Sequence, residues 1–165
     1  MTVVRISRAR IVKAIEAEPV ETLRAGSWVY GSCLQKRFAS STECSVCAVG
    51  AVLRRAVLAP RSRAFTITDA ANAAVWGAET LAGDFNEELE NDRYMAALSC
   101  FFESQWSARG LCWDSVQGTE RSSRIHTLRA DTARFVAENF PRTIDIDIDG
   151  ARPAKDVRVV KAKKK

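Results

Sequence analysis

Apolar residues recur at helical spacing in five stretches of this 165-residue chain. The first stretch covers residues 8–17, where Ser7 is placed to cap the helix and Pro19 follows its end. The second runs from about Cys44 to Pro60 and is apolar nearly all the way round. A helix without a polar face is typical of the centre of a core, so the second stretch predicts a buried central helix.

Three more helices are predicted in the second half of the chain. One covers residues 69–83, with Thr68 as its N-cap and a glycine at its end. The next covers residues 92–110 and has a wide face of aromatic and aliphatic side chains. The last covers residues 119–139 and ends before a proline. The chain is therefore predicted to be mainly helical, with about five helices.

The hydrophobic period changes from helical to alternating near the C-terminus. Three isoleucines alternate with three aspartates, in the order Ile144, Asp145, Ile146, Asp147, Ile148, Asp149. This alternation predicts a half-buried strand, and residues 157–160 offer a second strand to pair with it. The predicted fold is thus a small α+β domain of about five helices with a C-terminal β-hairpin.

The length and composition fit one globular domain over residues 1–160, followed by a disordered basic tail over residues 161–165. No run of about 18 apolar residues is present, and the first 13 residues lack the apolar block of a secretory signal. A cytoplasmic protein without a membrane span is therefore expected. Five cysteines, an odd and scattered set, favour reduced thiols.

Charge is strongly segregated along the chain. The net charge is +7 over residues 1–63, −8 over residues 64–120 and +6 over residues 121–165. Such asymmetry suits electrostatic attraction to a charged partner. The alternative is that the oppositely charged segments attract each other within the fold.

Cys44 and Cys47 form a Cys-x-x-Cys pair at the start of the predicted central helix. Redox enzymes use this position because the helix dipole favours a thiolate there. Those enzymes have a buried strand before the cysteine pair, whereas the residues before Cys44 in this chain are polar. A structural zinc site needs four ligands, and only one such pair is present. Cys47 is therefore predicted to be a buried core residue, and no cofactor is predicted.

A cysteine-dependent hydrolase or transferase is the alternative enzymatic interpretation. It would use Cys33 or Cys44 as the nucleophile, with His126 as the base and Asp131 as the orienting carboxylate. His126 lies between arginines in the middle of a predicted helix. This setting is more typical of a polar helix face than of a catalytic centre, so the chain is not expected to be an enzyme.

The C-terminal aspartates also fit the spacing of a calcium-binding EF-hand loop. The matching residues are Asp145, Asp147, Asp149 and Asp156. However, the alternating isoleucines predict a strand where that loop must coil. No metal site is therefore predicted, and these four aspartates remain only an alternative.

Nucleic-acid binding is a further alternative, because both ends of the chain are basic. Arg61, Arg63 and the lysine tail are the candidate phosphate contacts. No helix-turn-helix or RNA-recognition signature is present.

A Trp-x-x-Gly element followed by a Cys-Ala-x-Gly-Ala helix resembles a set of small uncharacterised proteins of bacteriophages and phage-rich bacterial genomes. The matching residues are Trp28, Gly31, Cys47, Ala48, Gly50 and Ala51. The resemblance implies a phage context, where small proteins without an enzyme signature are often inhibitors that act by surface binding.

The leading functional hypothesis is therefore a non-enzymatic binding protein, encoded by a phage, that inhibits a host defence or nucleic-acid-handling complex in the host cytoplasm. Its partner would be a host protein or nucleoprotein complex. The candidate partner-binding residues are one acidic group and one basic pair, namely Asp84, Glu87, Glu88, Glu90, Asp92, Arg61 and Arg63.

Overall fold

The computed structural model describes residues 2–25, 45–59, 93–113, 115–148 and 152–160. In chain order these residues form β1 (Val3–Ser7), α1 (Arg8–Ala17), a 3-10 turn (Val20–Thr22), α2 (Ala48–Val52) continued by a π-helical segment (Leu53–Val57), α3 (Arg93–Ala108), α4 (Gly118–Asn139), β2 (Thr143–Asp147) and β3 (Arg158–Val160). The predicted mainly helical α+β fold is confirmed, and the structure has a small three-stranded antiparallel sheet where the sequence predicts only a hairpin. The helix predicted over residues 69–83 lies outside the described residues.

The three strands form one antiparallel sheet in the order β2-β1-β3. Val4 pairs with Ile146 on one side and with Val159 on the other. The predicted C-terminal hairpin is therefore wrong in its pairing, because β1 lies between the two C-terminal strands. Val3–Ser7, for which no strand is predicted, supplies the missing partner.

One face of the sheet belongs to the core. Val4, Ile6, Ile144, Ile146 and Ile148 are all buried on it. The predicted burial of the three isoleucines is therefore confirmed. On the opposite face, the guanidinium of Arg5 donates to both oxygens of Asp145, at 2.7 and 2.8 Å, across the β1–β2 pair.

Helix α1 begins where the sequence predicts, because the side chain of Ser7 accepts a hydrogen bond from the backbone N–H of Arg10 at 3.2 Å. Its apolar face buries Ile11, Ala14 and Ile15 against the core. The helix ends at Ala17, just before Pro19, since proline cannot supply the N–H that a continuing helix would need.

Helix α2 starts four residues later than predicted, at Ala48. The backbone N–H of Val46 donates to the carbonyl of Thr22 at 2.8 Å, and the N–H of Arg24 donates to the carbonyl of Val46 at 2.9 Å. This parallel bridge keeps Val46 extended, so the helix cannot begin before it. Cys47 is the N-cap and is fully buried, which confirms its predicted place in the core.

The π-helical segment widens the end of α2. The N–H of Leu58 donates to the carbonyl of Leu53, five residues back, at 2.9 Å. Within this segment, the carbonyl of Ala56 accepts a hydrogen bond from Nε of Arg10 at 2.7 Å. The same guanidinium donates to both oxygens of Asp156, which ties α1, the π-helical segment and the C-terminal region together.

Helices α3 and α4 pack against each other and complete the core. Met95, Leu98, Phe102 and Trp106 of α3 are buried. From α4 the buried side chains are Ile125, Leu128, Thr132, Ala133 and Val136. The rings of Phe101 and Phe135 stack with their centroids 4.2 Å apart. The predicted helices over 92–110 and 119–139 are confirmed to within one or two residues.

Candidate functional site

All of the residues predicted to bind a partner, and both predicted nucleophiles, lie outside the described residues, as does one aspartate of the EF-hand alternative. They are Cys33, Cys44, Arg61, Arg63, Asp84, Glu87, Glu88, Glu90, Asp92 and Asp149. The acidic and basic partner-binding groups therefore stay predictions, as does the assignment of a nucleophile. Three features of the described residues bear on function instead: the surroundings of His126, a buried carboxylate, and an exposed tryptophan.

His126 lies on the exposed side of α4, as the polar pattern around it predicts. Nη2 of Arg129, one turn further along α4, lies 3.0 Å from Nδ1 of His126. Asp131 is bound by two other arginines, Arg109 and Arg134. Five positions apart on a helix, His126 and Asp131 point in directions that differ by about 140°. Asp131 is therefore engaged with arginines and does not face the imidazole.

Three aspartates of the EF-hand alternative lie within the described residues, either in an extended strand or in separate ion pairs. Asp145 and Asp147 belong to β2, and an extended strand is not the coiled backbone of a calcium loop. Arg5 binds Asp145, while Arg10 binds Asp156. In the part of the chain that the structure describes, no group of three or more His, Cys, Asp or Glu side chains could hold a metal ion.

The carboxylate of Glu18 is fully buried just after the end of α1. Arg54 donates to its Oε1 through Nη2, and Arg55 donates to its Oε2 from Nε at 2.6 Å. The hydroxyl of Thr22 donates to Oε1 at 2.6 Å. Arg129 of α4 donates to the backbone carbonyl of the same residue at 2.7 Å. Glu18 thus links α1, the 3-10 turn, the π-helical segment and α4.

This buried carboxylate is suited to holding the fold together and unsuited to acid–base chemistry. Each carboxylate oxygen already accepts from a guanidinium, and no solvent reaches either of them. A general base must be able to approach the proton that it removes, which this geometry prevents. The sequence does carry a signal for the cluster: Arg54 and Arg55 interrupt an otherwise apolar helix, and buried arginines require an acidic partner.

The turn after α3 presents a large apolar side chain to solvent. Trp113 is 70% exposed, whereas Trp106, two residues before the end of α3, is 4% exposed. Gly110 opens the turn with a φ of +67°, a backbone conformation that favours glycine. Only one other large apolar side chain of the described residues, Val159 on β3, is comparably exposed.

Two arginines of α4 hold this turn in place. Arg124 donates to the carbonyl of Arg109 at 2.7 Å, and Arg121 donates to the carbonyl of Leu111 at 3.1 Å and to that of Val116 at 3.4 Å. The guanidinium of Arg121 also lies over the ring of Trp106, with its Cζ 5.4 Å from the ring centroid. The exposed tryptophan therefore sits on a braced turn.

Comparisons with known proteins do not indicate a function. No family model, no curated protein and no solved structure matches the chain. None of the helices in the described ranges is long and apolar enough to cross a membrane.

Proposed function

We propose that this chain is a non-enzymatic binding protein that acts by contact with another protein, and that Trp113 is the centre of its binding surface. The observation that supports the proposal is the exposure of Trp113 on a turn held by arginine side chains. Tryptophan and arginine are the residues most enriched among those that dominate the energy of protein interfaces. A turn that is already fixed also loses little conformational entropy when a partner binds.

The end of α3 carries one tryptophan that the fold does bury, Trp106. Burial of its apolar surface stabilises the fold. The neighbouring Trp113 receives no such stabilisation from the described part of the chain. A large apolar side chain left on a rigid surface is typical of an interaction site.

The finer form of the proposal comes from the resemblance to small bacteriophage proteins. In that form the partner is a host defence or nucleic-acid-handling complex, the protein is a phage-encoded inhibitor of it, and the two meet in the host cytoplasm. The exposed tryptophan supports surface binding in general and leaves the partner to experiment.

The test compares the proteins that three forms of the full chain capture from a lysate of the proposed bacterial host. The forms are the natural protein, Trp113→Ala, and Val159→Ala, which removes the other exposed apolar side chain as a matched control. A captured protein should then be purified and its affinity measured by calorimetry. We expect Trp113→Ala to weaken binding by about 2 kcal/mol, roughly thirtyfold, and Val159→Ala to leave it unchanged.

Two outcomes would contradict the proposal. A partner bound equally well by the natural protein and by Trp113→Ala would show that the surface lies elsewhere. Failure of the natural protein to retain any partner would count against a binding function. Circular dichroism of each variant checks that a loss of binding does not come from a loss of folding.

A further inference from the structure

Strand β3 lies at an edge of the sheet. The strand order is β2-β1-β3, and none of the strands in the described ranges pairs with the outer side of β3. An edge strand presents backbone donors and acceptors that can pair with an extended segment of another chain. The register of β1 determines which residue of β3 presents them.

The hydrogen bonds between β1 and β2 show which way the backbone of β1 points. The N–H of Ile148 donates to the carbonyl of Thr2 at 2.9 Å, just before β1 begins. Because hydrogen-bonded pairs alternate in an antiparallel ladder, the even-numbered residues of β1 bond to β2 and the odd-numbered residues bond to β3. Val159 lies opposite Val4, an even-numbered residue, so the N–H and C=O of Val159 point away from β1.

The side chain of Val159 lies on the core-facing side of the sheet without being covered by the core. Residues directly opposite each other in neighbouring strands share a face, and Val4, the partner of Val159, is fully buried. Val159 itself is 51% exposed. An apolar side chain placed beside Val159 would therefore remove apolar surface from water, which favours binding.

The opposite face of the sheet carries a row of charges that ends in a positive one. Asp145 of β2, Arg5 of β1 and Arg158 of β3 lie side by side across the three strands. Arg5 binds Asp145, whereas the exposed Arg158 forms no ion pair with a carboxylate of the described residues. The next position in this row, beyond β3, therefore favours a carboxylate.

We infer that the edge of β3 binds an extended segment of a partner protein in which apolar and acidic residues alternate. The segment pairs with the backbone N–H and C=O of Val159 and places an apolar side chain beside that of Val159. On the opposite face it places a carboxylate beside Arg158. This surface is carried by other elements than the Trp113 turn, and the inference does not depend on the proposed function.

The chemistry of this edge favours a protein segment over a nucleic-acid backbone. A phosphate accepts hydrogen bonds but donates none, so it would leave the carbonyl of Val159 unpaired. A phosphate also offers no apolar group to cover the valine side chain. A peptide backbone supplies both a donor and an acceptor at each residue.

A second copy of this chain fits the edge less well than a separate partner. Strand β2 of a second copy does alternate isoleucine with aspartate, but its isoleucines are buried in its own core and Arg5 already binds its Asp145. Pairing two β3 edges would bring two copies of Arg158 close together, and like charges repel each other.

The test titrates the full chain with a capped heptapeptide in which valine and aspartate alternate. The backbone amide signal of Val159 and the side-chain Nε–H signal of Arg158, followed by NMR, report on binding at the edge. We expect the peptide to shift both signals and to slow the hydrogen exchange of the Val159 amide, since pairing protects that group. The same peptide with N-methylated valines lacks the donors that face Val159 and should not bind.

Val159→Pro is the sharpest variant, because it removes the outward N–H and leaves the bonds that Arg158 and Val160 make to β1. We expect it to weaken peptide binding by about tenfold or more, since a hydrogen bond and part of the apolar contact are lost. Val159→Ala keeps the backbone and should weaken binding by about fivefold. Circular dichroism checks that each variant folds.

Arg158→Gln should weaken binding by about threefold, the effect of one exposed ion pair. Arg142→Gln is its matched control, because it removes an exposed arginine just before β2, at the other edge of the sheet. This control should bind the peptide as well as the natural protein does.

Three outcomes would overturn the inference. If the peptide shifts neither signal, β3 is not a binding edge. If a peptide with lysine in place of aspartate binds equally well, the partner segment is not acidic. If sedimentation shows a dimer of the natural protein that Val159→Pro abolishes, the occupant is a second copy. In each case a captured partner that depends on Trp113 would still support the proposed function.

Discussion

Arg54 donates a hydrogen bond to Glu18, although the two side chains are only 4% and 0% exposed. Removing such a pair from water costs free energy, and the cost is recovered only when the geometry is good and the remaining donors and acceptors are used. Arg55 and Thr22 bind the rest of the carboxylate, so both of its oxygens accept hydrogen bonds. The cluster therefore stabilises the fold only as long as the negative charge is present.

Glu18→Gln should strongly destabilise the protein. The amide keeps the shape of the side chain but leaves the guanidinium of Arg54 buried without a counter-charge. Breaking a buried ion pair in this way costs about 3–5 kcal/mol. Urea unfolding, followed by circular dichroism, measures the loss as a change in the free energy of unfolding.

Glu16→Gln provides the matched control, since Glu16 lies on the exposed side of α1. Its unfolding free energy should stay within about 0.5 kcal/mol of that of the natural protein. If Glu18→Gln and Glu16→Gln were equally stable, the buried ion pair would not be a stabilising feature of the fold.

Stability should fall in acid because two aspartates depend on arginine partners. The pKa of Asp145 is held below its usual value mainly by the hydrogen bonds from Arg5, and that of Asp156 mainly by those from Arg10. A lowered pKa in the folded state gives stability that is fully present above the unfolded value, about 3.9, and is lost as the pH falls through the folded value.

Urea unfolding at a series of pH values from about 7 to about 2 measures this dependence. Asp145→Asn should be less stable than the natural protein near neutral pH, and the difference should shrink as the pH falls below about 4. Glu138→Gln, an exposed change on α4, serves as the comparison. A constant difference between Asp145→Asn and the natural protein over the whole range would argue against the ion pair.

The sequence predicts α1, α3 and α4 well because each of them carries its own signals. Ser7 caps α1, Pro19 follows its end, and Gly110 lies just past the end of α3, all within a few residues of the boundaries that they set. Such signals act within a few residues and can be recognised without knowledge of the tertiary packing. The alternating isoleucines likewise predict β2, since alternation of apolar and polar residues identifies a strand even when the neighbouring strand is unknown.

The parts that the sequence does not predict depend on contacts between distant residues. Val3–Ser7 is too short to be distinguished from the approach to α1, and it becomes the central strand because β2 and β3 pair with it from both sides. Glu18 is one acidic residue among many until the fold brings Arg54 to it, 36 positions later.

Gly110 is predicted to tolerate substitution poorly because of its backbone. Its φ of +67° strains any residue with a Cβ, and that atom would lie 3.4 Å from Nη1 of Arg124. Gly110→Ala should therefore lower the free energy of unfolding by about 1 kcal/mol or slightly more. Gly110→Asn should cost less, since asparagine adopts this conformation more readily.

Gly118→Ala separates the strain from the contact. Gly118 has a φ of +63°, but a Cβ there would meet no atom within 4 Å. Urea unfolding should show a loss no larger than that of Gly110→Ala. If Gly110→Ala were as stable as the natural protein, the positive φ at the turn that carries Trp113 would be wrong.

The thiols should react in an order set by their burial. Cys112 is exposed, Cys100 is half-buried, and Cys47 is completely buried at the start of α2. Burial, reinforced by the charge of Glu103, raises the pKa of Cys100, so less of the reactive thiolate is present at neutral pH. Alkylation of the native protein, read by peptide mass spectrometry, should modify Cys112 first, then Cys100, and Cys47 only after unfolding.

Raising the pH should continue to speed the alkylation of Cys100 above the pH at which an ordinary cysteine thiol is fully ionised, because burial raises its pKa. Cys44 is predicted from the sequence to react faster than Cys47, and the same experiment measures both. The unfolded protein in urea, in which every thiol is accessible, calibrates the rates. Modification of Cys47 as fast as that of Cys112 or Cys44 in the native protein would mean that Cys47 does not lie in the core, and the packing around α2 would have to be reconsidered.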